Sequence, residues 1–182
     1  MAGSKQKTLK ALFSVVGIGL HTGEKATLTV HPAADNHGFK FQRMDVEGQP
    51  IINADADLVV DTSRSTTLEK NGVQVNTTEH ILAALSGMDI DNALIQLDGP
   101  EVPIMDGSSF PFVAAINQVG IVEQEAEKDY FVVTENLAYE DNERQTEMLL
   151  VPQDEFRLTV MVDYNSPILG TQHAHMYHIG EF

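Results

Sequence analysis

Cysteine is absent from this 182-residue sequence, which excludes disulfide bonds and any metal site built on thiolates. A metal here must be held by His, Asp or Glu. Basic residues are scarce too: eleven Lys and Arg stand against 27 Asp and Glu, a formal charge of -16. With those eleven scattered along the chain, general binding to phosphate backbones is disfavoured and nucleic acid is not an expected partner. No apolar run approaches the roughly 20 residues that span a bilayer as a helix, and the start MAGSKQKTLK lacks the apolar stretch of a secretory signal. A cytoplasmic protein is the resulting expectation. What remains is 42% apolar, enough to fill the core of one generous domain or two small ones.

The patterning predicts an α+β chain. Residues 8 to 31 read as a hairpin, with TLKALFSVVGIGL, a break at HTGEK and the alternating ATLTVH. FKFQRM (39–44) alternates as another strand, and STTLEKNGVQVNTT (65–78) reads as a second hairpin around Asn71-Gly72, a pair suited to two positive φ angles. A short helix follows at EHILAALSG (79–87), with Asn76 three residues before Glu79 as a capping-box partner and Gly87 at its end. NALIQLDG (92–99) is a strand. PIMDGSSFPFVAAINQVG (103–120) is a turn and a second helix, with Ser108 or Ser109 as cap and Pro111 in the first turn.

This order predicts a two-layer sandwich, a mostly antiparallel sheet with a helix pair on one face. The charged stretch QEAEKD (124–129) marks a boundary, making 1–125 a first domain and 126–182 the incomplete start of a second, similar one. There YFVVTENLAYE, TEMLLVP and FRLTVMVDY read as three strands, too few to close a compact domain. The chain stops at HAHMYHIGEF without a finishing element, so the expectation is that the sequence continues beyond it.

Glu79-His80 is the leading chemical candidate. A neutral imidazole binds Zn²⁺, and a neighbouring carboxylate that is not itself a ligand can deprotonate the metal-bound water. On the residues alone a structural role stays open, with Glu79 closing a capping box and His80 a polar residue on a short helix.

The wider text carries more. GIGLHTG (17–23), TTEHILAAL (77–85) and DNALIQLDGPEVPIMDGSSFPF (91–112) together closely resemble the UDP-3-O-acyl-N-acetylglucosamine deacetylase family, in order and spacing, from Lys5 into the 160s. The resemblance implies a Zn²⁺ enzyme that removes acetate from the 2-amino group of an acylated UDP-glucosamine, the committing step toward lipid A. It implies that His80 is the first zinc ligand and Glu79 the general base. His21 and Asp106 match further active-site positions with supporting roles; as plain residues they also suit turns.

A catalytic zinc normally takes three protein ligands, and the family's other two, a His and an Asp four residues apart on a later helix, are missing here. The one His-x-x-x-Asp spacing, His31 to Asp35, lies where a strand runs into a turn beside Pro32 and matches no ligand position. It reads as a loop. His173, His175 and His178 could chelate a metal from one strand face, but they too match no family ligand and read as a polar tail. The expectation is that the remaining ligands, the general acid, the acyl passage and basic groups for the diphosphate lie beyond Phe182. A non-catalytic binding or scaffolding module of the same fold is the alternative. Some relatives carry a hydroxyacyl-carrier-protein dehydratase fused behind the deacetylase; nothing within this chain shows one, and a downstream fusion stays open. Apolar strand edges over residues 130–163, left without partners, predict self-association or disorder there.

Overall fold

Ala26, Leu28 and Val30, and again Ala93, Ile95 and Leu97, place apolar side chains at every second position, so a pleated strand sends each set to one face. All six are buried. The computed structural model describes residues 4–178 and Glu181, and the chain divides into two units, Met1–Lys128 and Asp129–Phe182.

In chain order the first unit contains β1 (Lys5–Leu9), β2 (Phe13–Ile18), β3 (Lys25–Pro32), β4 (Phe39–Arg43), β5 (Ile51–Asn53), β6 (Val59–Asp61), β7 (Thr67–Lys70), β8 (Val73–Val75), α1 (Glu79–Gly87), β9 (Ala93–Leu97), α2 (Phe110–Val119) and β10 (Ile121–Glu127). The main sheet has the order β2-β3-β9-β4-β5 and is antiparallel except where β4 runs parallel to β9. A three-stranded antiparallel sheet, β6-β7-β8, and the antiparallel pair β1-β10 complete the unit. The α+β class is the expected one.

The hairpin expected over residues 8 to 31 forms as β2 and β3, with Phe13 opposite Val30 and Ile18 opposite Lys25. Its first limb is not continuous, however. The chain breaks at residues 10–12, and β1 leaves to pair with β10, Thr8 facing Val122 and Leu9 facing Ile121. The break lets Leu9 and Phe13 both reach the core while Leu12, in the bend, stays half exposed. The second hairpin turns where expected, with φ of 54° at Asn71 and 79° at Gly72 between β7 and β8.

Ile81, Ala84 and Leu85 recur at helical spacing and form the buried face of α1, while Phe112 and Ile116 form that of α2. These five join Leu28, Val30, Phe41, Ile52, Ile95 and Leu97 in one apolar cluster. Each fully buried Leu, Ile or Phe contributes about 1.5–3 kcal/mol relative to exposure, so this cluster is what holds the helices to the sheet.

The expected capping box does not form. Thr78 precedes α1 without a side-chain cap, and Asn76 is engaged elsewhere. Its Oδ1 accepts from Thr67 Oγ1 at 2.9 Å and its Nδ2 donates to the Pro100 carbonyl at 3.2 Å. At α2, Ser109 is the cap residue with Pro111 in the first turn, yet its hydroxyl also points away from the helix N-terminus; Ser108 Oγ accepts from Phe110 N–H instead, at 3.2 Å.

A buried amide organises the other end of the unit. Asn92 donates through Nδ2 to Gln6 Oε1 and Gln124 Oε1, each at 2.8 Å, and its Oδ1 accepts from Gly38 N–H at 2.8 Å. Beside it Lys128 pairs with Asp89 at 2.5 Å and Asp91 at 3.1 Å, and Lys7 pairs with Asp89 at 2.6 Å. These contacts tie β1 and β10 to the segment leading into β9.

The second unit is two antiparallel hairpins, β11 (Leu137–Asp141) with β12 (Thr146–Leu150), and β13 (Leu158–Asp163) with β14 (Thr171–Met176). The strand expected to open at Tyr130 starts only at Leu137, and Phe131 and Val132 are exposed. The stretch read as a polar tail is largely strand, because Met161 finds His173 and Thr159 finds His175 as partners, Thr159 Oγ1 lying 3.2 Å from His175 Nδ1. Among the described residues no helix is long and apolar enough to cross a membrane.

Candidate functional site

Glu79 and His80 form the first turn of α1, half-buried, and the way the chain reaches them is unusual. Thr77 has φ of 59°, a left-handed conformation that is costly for a β-branched residue. It is held there from several sides. Asn76 N–H donates to the Pro100 carbonyl at 2.9 Å, Val102 N–H to the Asn76 carbonyl at 3.1 Å, and Thr77 Oγ1 to Glu101 Oε1 at 2.9 Å.

Past that bend, Thr78 N–H and Oγ1 both donate to the Thr66 carbonyl, at 3.3 and 3.1 Å. Thr66 N–H donates back to Glu79 Oε2 at 2.9 Å. One oxygen of Glu79 is thereby fixed while Oε1 has no hydrogen-bond partner among the described residues. The His80 carbonyl accepts from Ser109 Oγ at 3.0 Å, which locks the first turn of α1 to the start of α2. Neither ring nitrogen of His80 is hydrogen-bonded among the described residues.

His21 sits in the exposed turn between β2 and β3, where Gly19 N–H donates to the Glu24 carbonyl and Gly23 N–H to the Gly19 carbonyl. The turn is anchored from beneath by Glu101. His21 N–H donates to both carboxylate oxygens, at 3.0 and 3.2 Å, and Thr22 N–H donates to Oε2 at 2.8 Å. Glu101 is wholly buried. Burial pushes its carboxyl up, but the amides of His21 and Thr22 and the hydroxyls of Thr22 and Thr77 more than offset this, so it titrates below the usual value.

Asp106 lies in an exposed turn between Met105, at φ 56°, and Gly107, at φ 83°. Its Oδ1 accepts from the Ser108 hydroxyl at 2.8 Å and the Ser108 amide at 2.9 Å. Those two donors, with a smaller contribution from the His80 imidazole, hold the carboxyl below its usual range. Ile104 N–H donates to the Ile18 carbonyl at 3.0 Å, fastening this turn to the end of β2.

The fold therefore brings Asp106 into electrostatic reach of His80 and joins the His21 turn to the approach of α1 through Glu101. Glu101 itself was not singled out from sequence, although an acid inside the otherwise apolar PEVPI was a signal. The His31/Asp35 pair and the His173, His175 and His178 group have partners of their own. His31 Nε2 lies 2.8 Å from Gln96 Oε1, and Asp35 Oδ2 accepts from Ala126 N–H at 2.7 Å. His173 and His175 pack ring against ring with centroids 5.1 Å apart, and His178 lies 3.4 Å from Glu181.

Among the described residues no group of three His, Cys, Asp or Glu side chains is placed to hold a metal. His80, whose ring nitrogens have no hydrogen-bond partner among the described residues, fits one position of a zinc site. The full set of three ligands that a catalytic zinc takes is not met by these residues.

The LpxC family of UDP-3-O-acyl N-acetylglycosamine deacetylases matches residues 6–181. The chain belongs to this family. It is 49% identical over 170 residues to a bifunctional enzyme LpxC/FabZ of Bacteroides thetaiotaomicron, covering 93% of this chain and 37% of that protein. A bifunctional enzyme LpxC/FabZ of Chlorobaculum tepidum is 47% identical over 172 residues, covering 94% of this chain and 37% of that protein. The UDP-3-O-acyl-N-acetylglucosamine deacetylase of Myxococcus xanthus is 46% identical over 167 residues, covering 92% of this chain and 52% of that protein. The chain thus spans about half the length of that LpxC deacetylase and less of the bifunctional relatives. All four candidate residues, His21, Glu79, His80 and Asp106, fall inside the matched LpxC region.

Proposed function

We propose that this chain supplies the water-activating carboxylate and the first metal ligand of a zinc-dependent UDP-3-O-acyl-N-acetylglucosamine deacetylase of lipid A biosynthesis. The observation that carries the reading is the state of the Glu79-His80 pair: one oxygen of Glu79 is fixed by Thr66 N–H, while the other, and both nitrogens of the neighbouring imidazole, have no hydrogen-bond partner among the described residues. An amide is a poor electrophile, and Zn²⁺, when bound, polarises its carbonyl and acidifies the attacking water. Glu79 would take the proton from that water on Oε1 while the Thr66 amide keeps the carboxylate in place. His80 would hold the metal through one ring nitrogen. Asp106, in the turn fastened to the end of β2, and His21, in the turn held by Glu101, would be supporting polar groups. The remaining ligands and the general acid would come from the part of the family's length that this chain does not span.

In the same reading the segment 126–182 begins a second domain similar to the first, the protein works in the cytoplasm, and the substrate is a single acylated UDP-sugar. The test is zinc content and acetate release in the product of the full reading frame. His80→Ala should lose both, His175→Ala neither, and Glu79→Ala should keep zinc while kcat falls on the order of 10²–10⁴-fold. Zinc retained in His80→Ala but lost in His175→Ala would overturn the assignment. A second reading, a non-catalytic module of the same fold, draws on the incomplete ligand set among the described residues. It requires a metal-free full-length protein.

A further inference from the structure

We infer that Glu101 is a positioning residue, whose buried carboxylate sets the place of the His21 turn against the start of the helix that carries Glu79 and His80. The inference rests on the function proposed above and concerns a residue whose side-chain partners are His21, Thr22 and Thr77 rather than Glu79 or His80.

Three elements that carry candidate residues converge on this one side chain. The His21 turn gives two amide donors, and Thr77, two residues before Glu79, gives its hydroxyl. Glu101 itself begins the segment that reaches Asp106, and that segment is tied in passing to Asn76 and to Ile18 by backbone bonds from Val102 and Ile104. An anion taken wholly out of water is costly unless fully partnered. Glu101 forms no ion pair with Lys or Arg among the described residues; directed N–H and O–H groups compensate it instead. Such an arrangement fixes directions as well as supplying stability, because each donor must lie close to a carboxylate lone pair.

Gly19 shows how closely the turn is fitted. A Cβ at that position would collide with Glu101 Oε2 and Thr22 Oγ1 and come within 2.8 Å of the Glu101 carboxyl carbon. The turn therefore rests on the carboxylate with no side chain between them. The left-handed bend at Thr77 has the same dependence, since its hydroxyl is held by Glu101. A neutral amide in place of the carboxylate keeps the shape but turns one acceptor into a donor, which faces the amide donors of His21 and Thr22.

The experiment uses the full-length protein with the variants Glu101→Gln, His21→Ala and the double variant, measuring kcat, KM, bound zinc, and the amide resonances of His21 and Thr22. The expected result is that Glu101→Gln stays folded, keeps its zinc, moves both amide resonances upfield, and lowers kcat on the order of 10²-fold with a much smaller change in KM. In the His21→Ala background the same substitution should cost less than a quarter of that factor, since its effect runs through His21. Glu101→Asp, which keeps the charge, should recover part of the loss. An equal loss of kcat in both backgrounds, a loss matching the loss of zinc, or unmoved amide resonances would each overturn the inference. If Glu101→Gln fails to fold, Thr77→Val takes its place, removing one donor and leaving the carboxylate; unchanged kcat there would overturn the inference. If the wild-type protein releases no acetate, the function reading falls, and the amide resonances alone then decide whether Glu101 places the turn.

Discussion

Glu101 is the residue whose role depends most on three dimensions. Its sequence neighbours Val102, Pro103 and Ile104 announce burial, but the donors that make burial tolerable come from positions 80, 79 and 24 residues away. Glu79-His80 stands out as a candidate in the sequence because the chemistry of a dipeptide is local; the fixing of Glu79 by Thr66 does not, because it depends on a bend at Thr77 that a β-branched residue does not advertise. Two expectations belong at this scale. Gly19→Ala places a methyl against the Glu101 carboxylate and should lower stability by about 1–3 kcal/mol in urea denaturation, with Gly23→Ala serving as the comparison where no atom stands in the way but φ is 70°. The second concerns acid. Glu101 and Asp106 titrate below their usual values when folded, so the unfolded chain takes up protons first as pH falls below the ordinary 4.5 of Glu101. Their stabilisation is whole above that pH and is lost as pH descends through the folded values. Urea midpoints measured from about pH 6 downward should drop in the acid limb, and Glu101→Gln should flatten that drop.

Among elements, alternation and turn chemistry were legible and long-range pairing was not. Asn71-Gly72 specified its hairpin because both residues accept positive φ, and α1 ended at Gly87 as expected. The pairing of β1 with β10 joins residues more than a hundred positions apart, and no local pattern encodes it. The same is true of Asn92, whose partners Gln6, Gly38 and Gln124 come from three separate stretches. Asn92→Ala leaves buried polar groups without partners and should cost about 1–3 kcal/mol for each. Thermal denaturation with hydrogen exchange would locate the loss, expected first in β1 and β10. An unchanged melting temperature would mean that these groups find water or one another.

For the molecule as a whole, the two units differ in how they meet solvent. The first has one apolar cluster. In the second, both faces of each hairpin are exposed, with Tyr139, Met148, Leu149 and Met161 each more than half exposed. Such strands invite pairing with another chain, so residues 1–182 expressed alone should self-associate in light scattering at micromolar concentration and give no acetate release. A sharp monomeric peak with protected amides over residues 137–176 would contradict the first expectation, and measurable turnover the second. At this scale the resemblance in three motifs carried the family, because each motif is local and their order spans the first unit.

The place of β9 in the main sheet has a consequence for how the protein is made. It stands between β3 and β4, bonded to both, yet it is synthesised some fifty residues after β4 is finished. Until Ala93–Leu97 leaves the ribosome, β2-β3 and β4-β5 are two hairpins with nothing to join them, and the apolar face of each is open to water. A nascent chain of this kind waits, exposed, for its middle strand, and the interval in which a chaperone or a protease can intervene is set by translation rather than by the intrinsic speed of folding.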